Sequence, residues 1–146
     1  VLDERYIGYS SNSYKIKKNK KTKLNVRKIK KLSEAILNTT SPYVFASNRD
    51  QKSFEKLSKL SKSTRLGGDC YSYCLLGDGY VDIVVESGLN PWDIRALEPI
   101  IKNAGGIIKT WENEKIFDGG RILACGSKKI FDECLTILKQ KNPVNK

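Results

Sequence analysis

Two hydrophobic periods share this chain, and they take turns along it. Short runs in which apolar residues alternate with polar ones, or form unbroken apolar stretches, read as strands. These are residues 4–9 (ERYIGY), 13–17, 23–27, 63–66, 80–87 (YVDIVVES), 106–111 (GIIKTW) and 121–126 (RILACG). Residues 13–17 and 23–27 flank Asn19, Lys20 and Lys21, which predicts a hairpin. YVFA at 43–46 is apolar enough for a buried strand, although Pro42 limits regular pairing before it.

Between these runs the spacing changes to the helical period. Asp50 is placed to cap a helix over 51–60, whose Phe54, Leu57 and Leu60 make one stripe. SEAIL from Ser33 predicts a short helix with Ser33 as cap, and DCYSYCLLGDG from Asp69 predicts another that ends near Gly77–Gly79. Asn90 and Pro91 open a helix that runs to Ala104, where Gly105 and Gly106 stop it. Pro99 lies inside that helix and should bend or divide it. A closing helix covers 128–140, and the tail 141–146 is expected to fray. Strands alternating with helices from residue 39 to residue 140 predict an α/β fold, a sheet layered with helices. No repeat or long linker interrupts residues 1–146, so a single domain is expected, with residues 1–30 as a strand and a Lys-rich hairpin.

Charge narrows the picture less than it first promises. The net charge is +11, but 21 of the 27 basic residues are Lys and only 6 are Arg. Arg, with its bidentate fork, is the usual reader of bases and phosphates. The Lys cluster at 15–23 therefore reads first as a solvated, protected edge, with phosphate steering and nucleic-acid binding as alternatives. No apolar run approaches a membrane span, and no leader pattern is seen at the start, so a cytoplasmic protein is expected. The four cysteines, Cys70, Cys74, Cys125 and Cys134, form no C-x-x-C pair and read as buried reduced thiols. The chain has no histidine, so any chemistry must run through carboxylates, hydroxyls, thiols, amines or bound metal.

The richest segment for such chemistry is 67–106. Gly67 and Gly68 precede a helix start, where free N–H groups favour anions, and Asp69 stands at that start. Glu86 ends a strand, and Asp93 sits in the first turn of the next helix. Strand ends and helix starts gather on one edge of an α/β sheet, so Asp69, Glu86 and Asp93 are candidates to share one pocket and to serve Mg²⁺. Each also has a plainer reading: Asp69 and Asp93 as helix caps, Glu86 as a surface carboxylate. Asp78 and Asp82 flank a turn and read as structural.

PWDIRALEPIIKNAGG at 91–106 resembles the second signature of the inositol monophosphatase family. The upstream spacing is similar too: Gly67-Gly68 before the helix, Gly79 to Asp82 as the turn, and Glu86 seven residues before the W-D aspartate. The resemblance implies a layered αβα sandwich of the inositol-monophosphatase/sugar-phosphatase type, often homodimeric. It also implies Asp93 as a magnesium ligand, and Glu86, Asp69, Gly67 and Gly68 as substrate-binding positions. GGDCYSY, LNPWD and TTSP look like the histidinol-phosphate phosphatase branch, which implies Mg²⁺-dependent hydrolysis of histidinol phosphate, with inositol phosphate as the alternative substrate. Histidinol carries an ammonium and an imidazole, and the Asp69 carboxylate suits such a cation. The family's first signature, D-P-x-D-G-T, and its upstream G-E-E are not found in the 146 residues. With valine rather than methionine at position 1, this implies the C-terminal portion only, with catalytic groups elsewhere and little turnover alone. Two readings from other classes remain: a basic nucleic-acid-binding module and a non-catalytic partner subunit.

Overall fold

A computed structural model describes residues 2–45 and 47–140. The predicted frayed tail therefore lies outside the described residues. Three strands open the chain: β1 (Glu4–Tyr9), β2 (Asn12–Lys17) and β3 (Lys20–Lys23), antiparallel in that order. The hairpin turn is shorter than the sequence suggests. Lys18 and Asn19 alone make it, both with positive φ (44° and 61°), and Lys17 pairs with Lys20. The predicted second strand at 23–27 is thus shifted. Leu24 and Val26 leave the sheet and are buried against helices instead.

A five-stranded mixed sheet follows, from β4 (Ile36–Thr39), β5 (Ser63–Leu66), β6 (Ile83–Leu89), β7 (Ile107–Thr110) and β8 (Gly120–Cys125), in the order β5-β4-β6-β8-β7. β4 runs parallel to both β5 and β6, while β8 is antiparallel to β6 and β7. Here two expectations fail. SEAIL is no helix: a 3₁₀ turn covers Leu32–Glu34, and Ile36 onward pairs with strands on both sides. Five residues cannot repay helix nucleation against two ladders of sheet hydrogen bonds. Residues 43–45 are not a buried strand either, and Ala46 lies outside the described residues. Pro42–Val44 form a 3₁₀ turn capped by Ser41, whose hydroxyl accepts from the Tyr43 N–H, and the Tyr43 side chain is 90% exposed.

The helices are α1 (Asn48–Leu60), α2 (Asp69–Gly77), α3 (Pro91–Ile94), α4 (Leu97–Asn103) and α5 (Lys128–Lys139). Ser47, not Asp50, caps α1, accepting from the Asp50 N–H at 3.1 Å; the Asp50 carboxylate turns to Arg121. Pro99 does divide its helix. It has no N–H to give the Arg95 carbonyl, and the break between α3 and α4 falls at 95–96. Phe54 and Leu57 of α1 join Ile130, Phe131, Cys134 and Leu138 of α5 on one face of the large sheet. Tyr73 and Leu76 of α2 join Leu97, Ile100 and Ile101 of α4 on the other. The small sheet then packs on α4, so close that a Cβ on Gly8 would lie 2.6 Å from the Pro99 carbonyl carbon and the Ile100 nitrogen. The Ser13 hydroxyl fixes this contact by donating to the Pro99 and Ile100 carbonyls. The predicted layered αβα arrangement is observed, with the three-stranded sheet as a further layer.

Two carboxylates hold the frame. Asp82, 1% exposed, accepts from Arg27 Nε at 2.8 Å and from the Ile36 N–H at 2.7 Å, tying the entries of β4 and β6 together. This is the structural role the sequence suggested. Glu4 accepts from Lys17, Tyr6 and Tyr71, and these bonds, Lys17 first, hold its carboxyl down at about 2. The thiols are all unpaired. Cys74, Cys125 and Cys134 are buried as expected, but Cys70 is exposed because it begins a helix at the sheet's rim. Among the described residues no helix is long and apolar enough to cross a membrane.

Candidate active site

The C-terminal ends of the parallel strands β4, β5 and β6 deliver the predicted residues to one rim. The chain leaves β5 through three successive left-handed residues, Gly67 (φ 83°), Gly68 (102°) and Asp69 (46°). Such a path is open to glycine and costs a residue with a Cβ, so the pair of glycines is what lets Asp69 be reached. The Gly67 N–H donates to the Thr39 and Thr40 carbonyls at 3.1 and 2.9 Å, and is thus committed to the fold. Gly68 is the N-cap of α2, and a Cβ there would lie 2.6 Å from the Ser72 hydroxyl. The cap role that was open for Asp69 therefore falls to its neighbour. Asp69 is exposed and makes no side-chain hydrogen bond among the described residues.

Asp69, Glu86 and Asp93 all line one cleft of about 410 Å³, with Cys70, Tyr73, Leu89 and Trp92 as the rest of its wall. Asp93 is both cap and pocket residue. Its Oδ2 accepts from the Asn90 N–H at 2.8 Å, which pins the carboxylate to the first turn of α3. Glu86 is 2% exposed. Its Oε1 accepts from the Thr40 N–H at 3.0 Å and from the Thr40 hydroxyl, and its Oε2 accepts from the Tyr73 hydroxyl at 3.0 Å. Burial pushes the Glu86 carboxyl up, the Thr40 and Tyr73 bonds oppose this, and the nearby Asp69 charge adds to it. Tyr73 is pushed well above the phenol range by burial and then by Glu86.

Three residues of this site were not singled out in the sequence. Tyr73 stands one helical turn after Asp69, a spacing that could have flagged it. Trp92 was noted only as part of a signature, yet its ring is 77% exposed at the cleft. Thr40 was noted only within TTSP, and nothing local ties it to Glu86, which it meets through the pairing of β4 with β6. Walls of three carboxylates and an indole, with no Lys or Arg among them, suit a cationic organic group. They do not make a metal centre. Among the described residues, no group of three or more Asp, Glu, Cys or His is arranged to hold an ion.

The chain is similar to known phosphatases in sequence and in fold. The chloroplastic bifunctional phosphatase IMPL2 of Arabidopsis thaliana is 41% identical over 120 residues, which is 79% of this chain and 32% of that relative. The histidinol-phosphatase of Mycobacterium tuberculosis is 31% identical over 116 residues, 80% of this chain and 44% of that relative. Among solved structures, an inositol monophosphatase from Zymomonas mobilis superposes with a TM-score of 0.78 at 32% identity, covering 88% of this chain and 53% of its own. The chain thus spans between a third and about half the length of these relatives. The family model for the inositol monophosphatase family matches residues 1–142, and the chain belongs to that family.

Proposed function

We propose that these residues form the alcohol-binding half of a phosphomonoesterase whose substrate is histidinol phosphate. The observation that carries this reading is the cleft itself, with Asp69, Glu86 and Asp93 beside an open Trp92 face and no basic side chain in its wall. A bare phosphate would be repelled there, whereas an ammonium or imidazolium gains ion pairs with the carboxylates and a cation–π contact with the indole. Asp69, exposed and without a partner among the described residues, is the carboxylate best placed to take the ammonium. Glu86 presents a fixed acceptor, and Trp92 offers a flat face to a ring. The relatives named histidinol-phosphatase support the choice of substrate.

Hydrolysis replaces the ester P–O bond to the alcohol with a bond from phosphorus to water oxygen. The role assigned to these residues is to hold and orient the alcohol. Asp93 would add one carboxylate to a magnesium site supplied mostly from outside this chain, and the magnesium requirement rests on the family resemblance. The competing substrate is inositol phosphate, bound in two of the similar solved structures. Phosphate release by the protein of the complete reading frame, measured on histidinol phosphate and on inositol 1-phosphate, separates them. Histidinol phosphate should be preferred, and Asp69→Ala should raise KM for it at least tenfold while leaving inositol phosphate turnover unchanged. Equal effects on both substrates would refute the reading.

A further inference from the structure

We propose that Thr40 and Tyr73 are positioning residues, which hold Glu86 as a fixed acceptor and register it against the loop that carries Asp69. The inference rests on the cationic-ligand reading of the cleft, and it concerns two residues to which the sequence assigned no individual role.

Thr40 lies one residue past β4 and bonds in two directions. Its N–H and hydroxyl donate to Glu86 Oε1, and its carbonyl accepts from the Gly67 N–H at 2.9 Å. The same residue therefore fixes Glu86 on β6 and the start of the left-handed run that ends at Asp69. The loop is held a second time, because Asn38 Nδ2 donates to the Ser72 hydroxyl, which donates to the Gly67 carbonyl. Tyr73 closes the other side. It is 1% exposed, and its hydroxyl donates to Glu86 Oε2. Three donors thus converge on one carboxylate that water scarcely reaches.

Such an arrangement does two things. Each hydrogen bond to the charged form favours ionisation against the burial that opposes it. The bonds also remove rotational freedom, so the negative charge is presented in one direction without reorganisation when a cation arrives. The titratable groups that face Glu86 across the cleft are Asp69 and Asp93, with Cys70 and Tyr73 on α2. Burial and the nearby Asp69 oppose its ionisation, and the Thr40 and Tyr73 bonds act against both.

The test uses the chain itself with histidinol as probe, by titration calorimetry at pH 7, alongside thermal melts and the ¹³C carboxyl shift of Glu86 against pH. Tyr73→Phe and Thr40→Val should each weaken histidinol binding about tenfold, the scale of one bond to a charged group. Thr40→Ser, which keeps the hydroxyl, should restore it to within about threefold. Both weakened variants should raise the Glu86 midpoint. Leu76→Val, buried on the same helix but away from the cleft, should lower the melting temperature without changing either readout. Binding losses that merely follow melting temperature, as a structural role predicts, would overturn the proposal. If the parent chain binds no histidinol, the ligand reading falls separately. The Glu86 midpoint then decides, and one that does not move in Tyr73→Phe and Thr40→Val overturns the positioning role.

Discussion

Replacing Asp82 with alanine should destabilise the fold by about 3 kcal/mol. The side chain is 1% exposed and serves two groups far apart in the chain, the Ile36 N–H at the entry of β4 and the Arg27 guanidinium. Losing the acceptor leaves the Ile36 N–H without a partner where water cannot easily follow, which costs about 2 kcal/mol. Arg27 is 44% exposed, so it can be resolvated, and its share is smaller, about 1 kcal/mol. An unfolding entropy of about 2.1 cal/mol/K per residue makes 1 kcal/mol worth roughly 3 °C in a chain of this length. Differential scanning calorimetry should therefore show a fall of about 10 °C for Asp82→Ala. Asp82→Asn, which keeps an acceptor for Ile36, should lose about half as much. A fall below about 3 °C for the alanine variant would show that the Ile36 N–H finds another partner, and the reasoning would be wrong.

Two further outcomes follow from the same geometry. Gly8→Ala should cost about 2 kcal/mol in urea unfolding, because the new methyl meets backbone atoms of 99–100 that cannot swing away; a neutral result would mean that the small sheet is not seated on α4. Stability against pH should carry opposite contributions from two glutamates. The Glu4 carboxyl is lowered, so its contribution is present above pH 4.5 and is lost as pH falls toward about 2, and Glu4→Gln should flatten that limb. The Glu86 carboxyl is raised, so its contribution is full below 4.5 and is lost as pH rises through its folded value. Glu86→Gln should therefore gain on the parent as pH rises from 4.5 to 8, and a constant difference between the two would contradict this.

What the sequence determined on its own was whatever depends on neighbours along the chain. The alternation of ERYIGY, the run at Ile83–Val85, the opening of a helix at Asn90-Pro91 and its division at Pro99 are set by pleat, cap and ring geometry within a few residues, and all are seen. The family was legible for the same reason, because its second signature is one continuous stretch. Three carboxylates spaced along 69–93 could be assigned to one rim because strand ends and helix starts must gather there. Tertiary structure decided the rest. SEAIL became the approach to a central strand because two neighbouring strands offered its backbone partners, and the turn at 42–44 replaced a strand because Ser41 and Pro42 closed it. Glu86 meets Thr40 across 46 residues through the pairing of β4 with β6, and Asp82 meets Arg27 across 55, contacts that no local pattern encodes. Hydrophobic period fixes which face of an element is buried, but which polar groups share that burial is fixed only when the layers close.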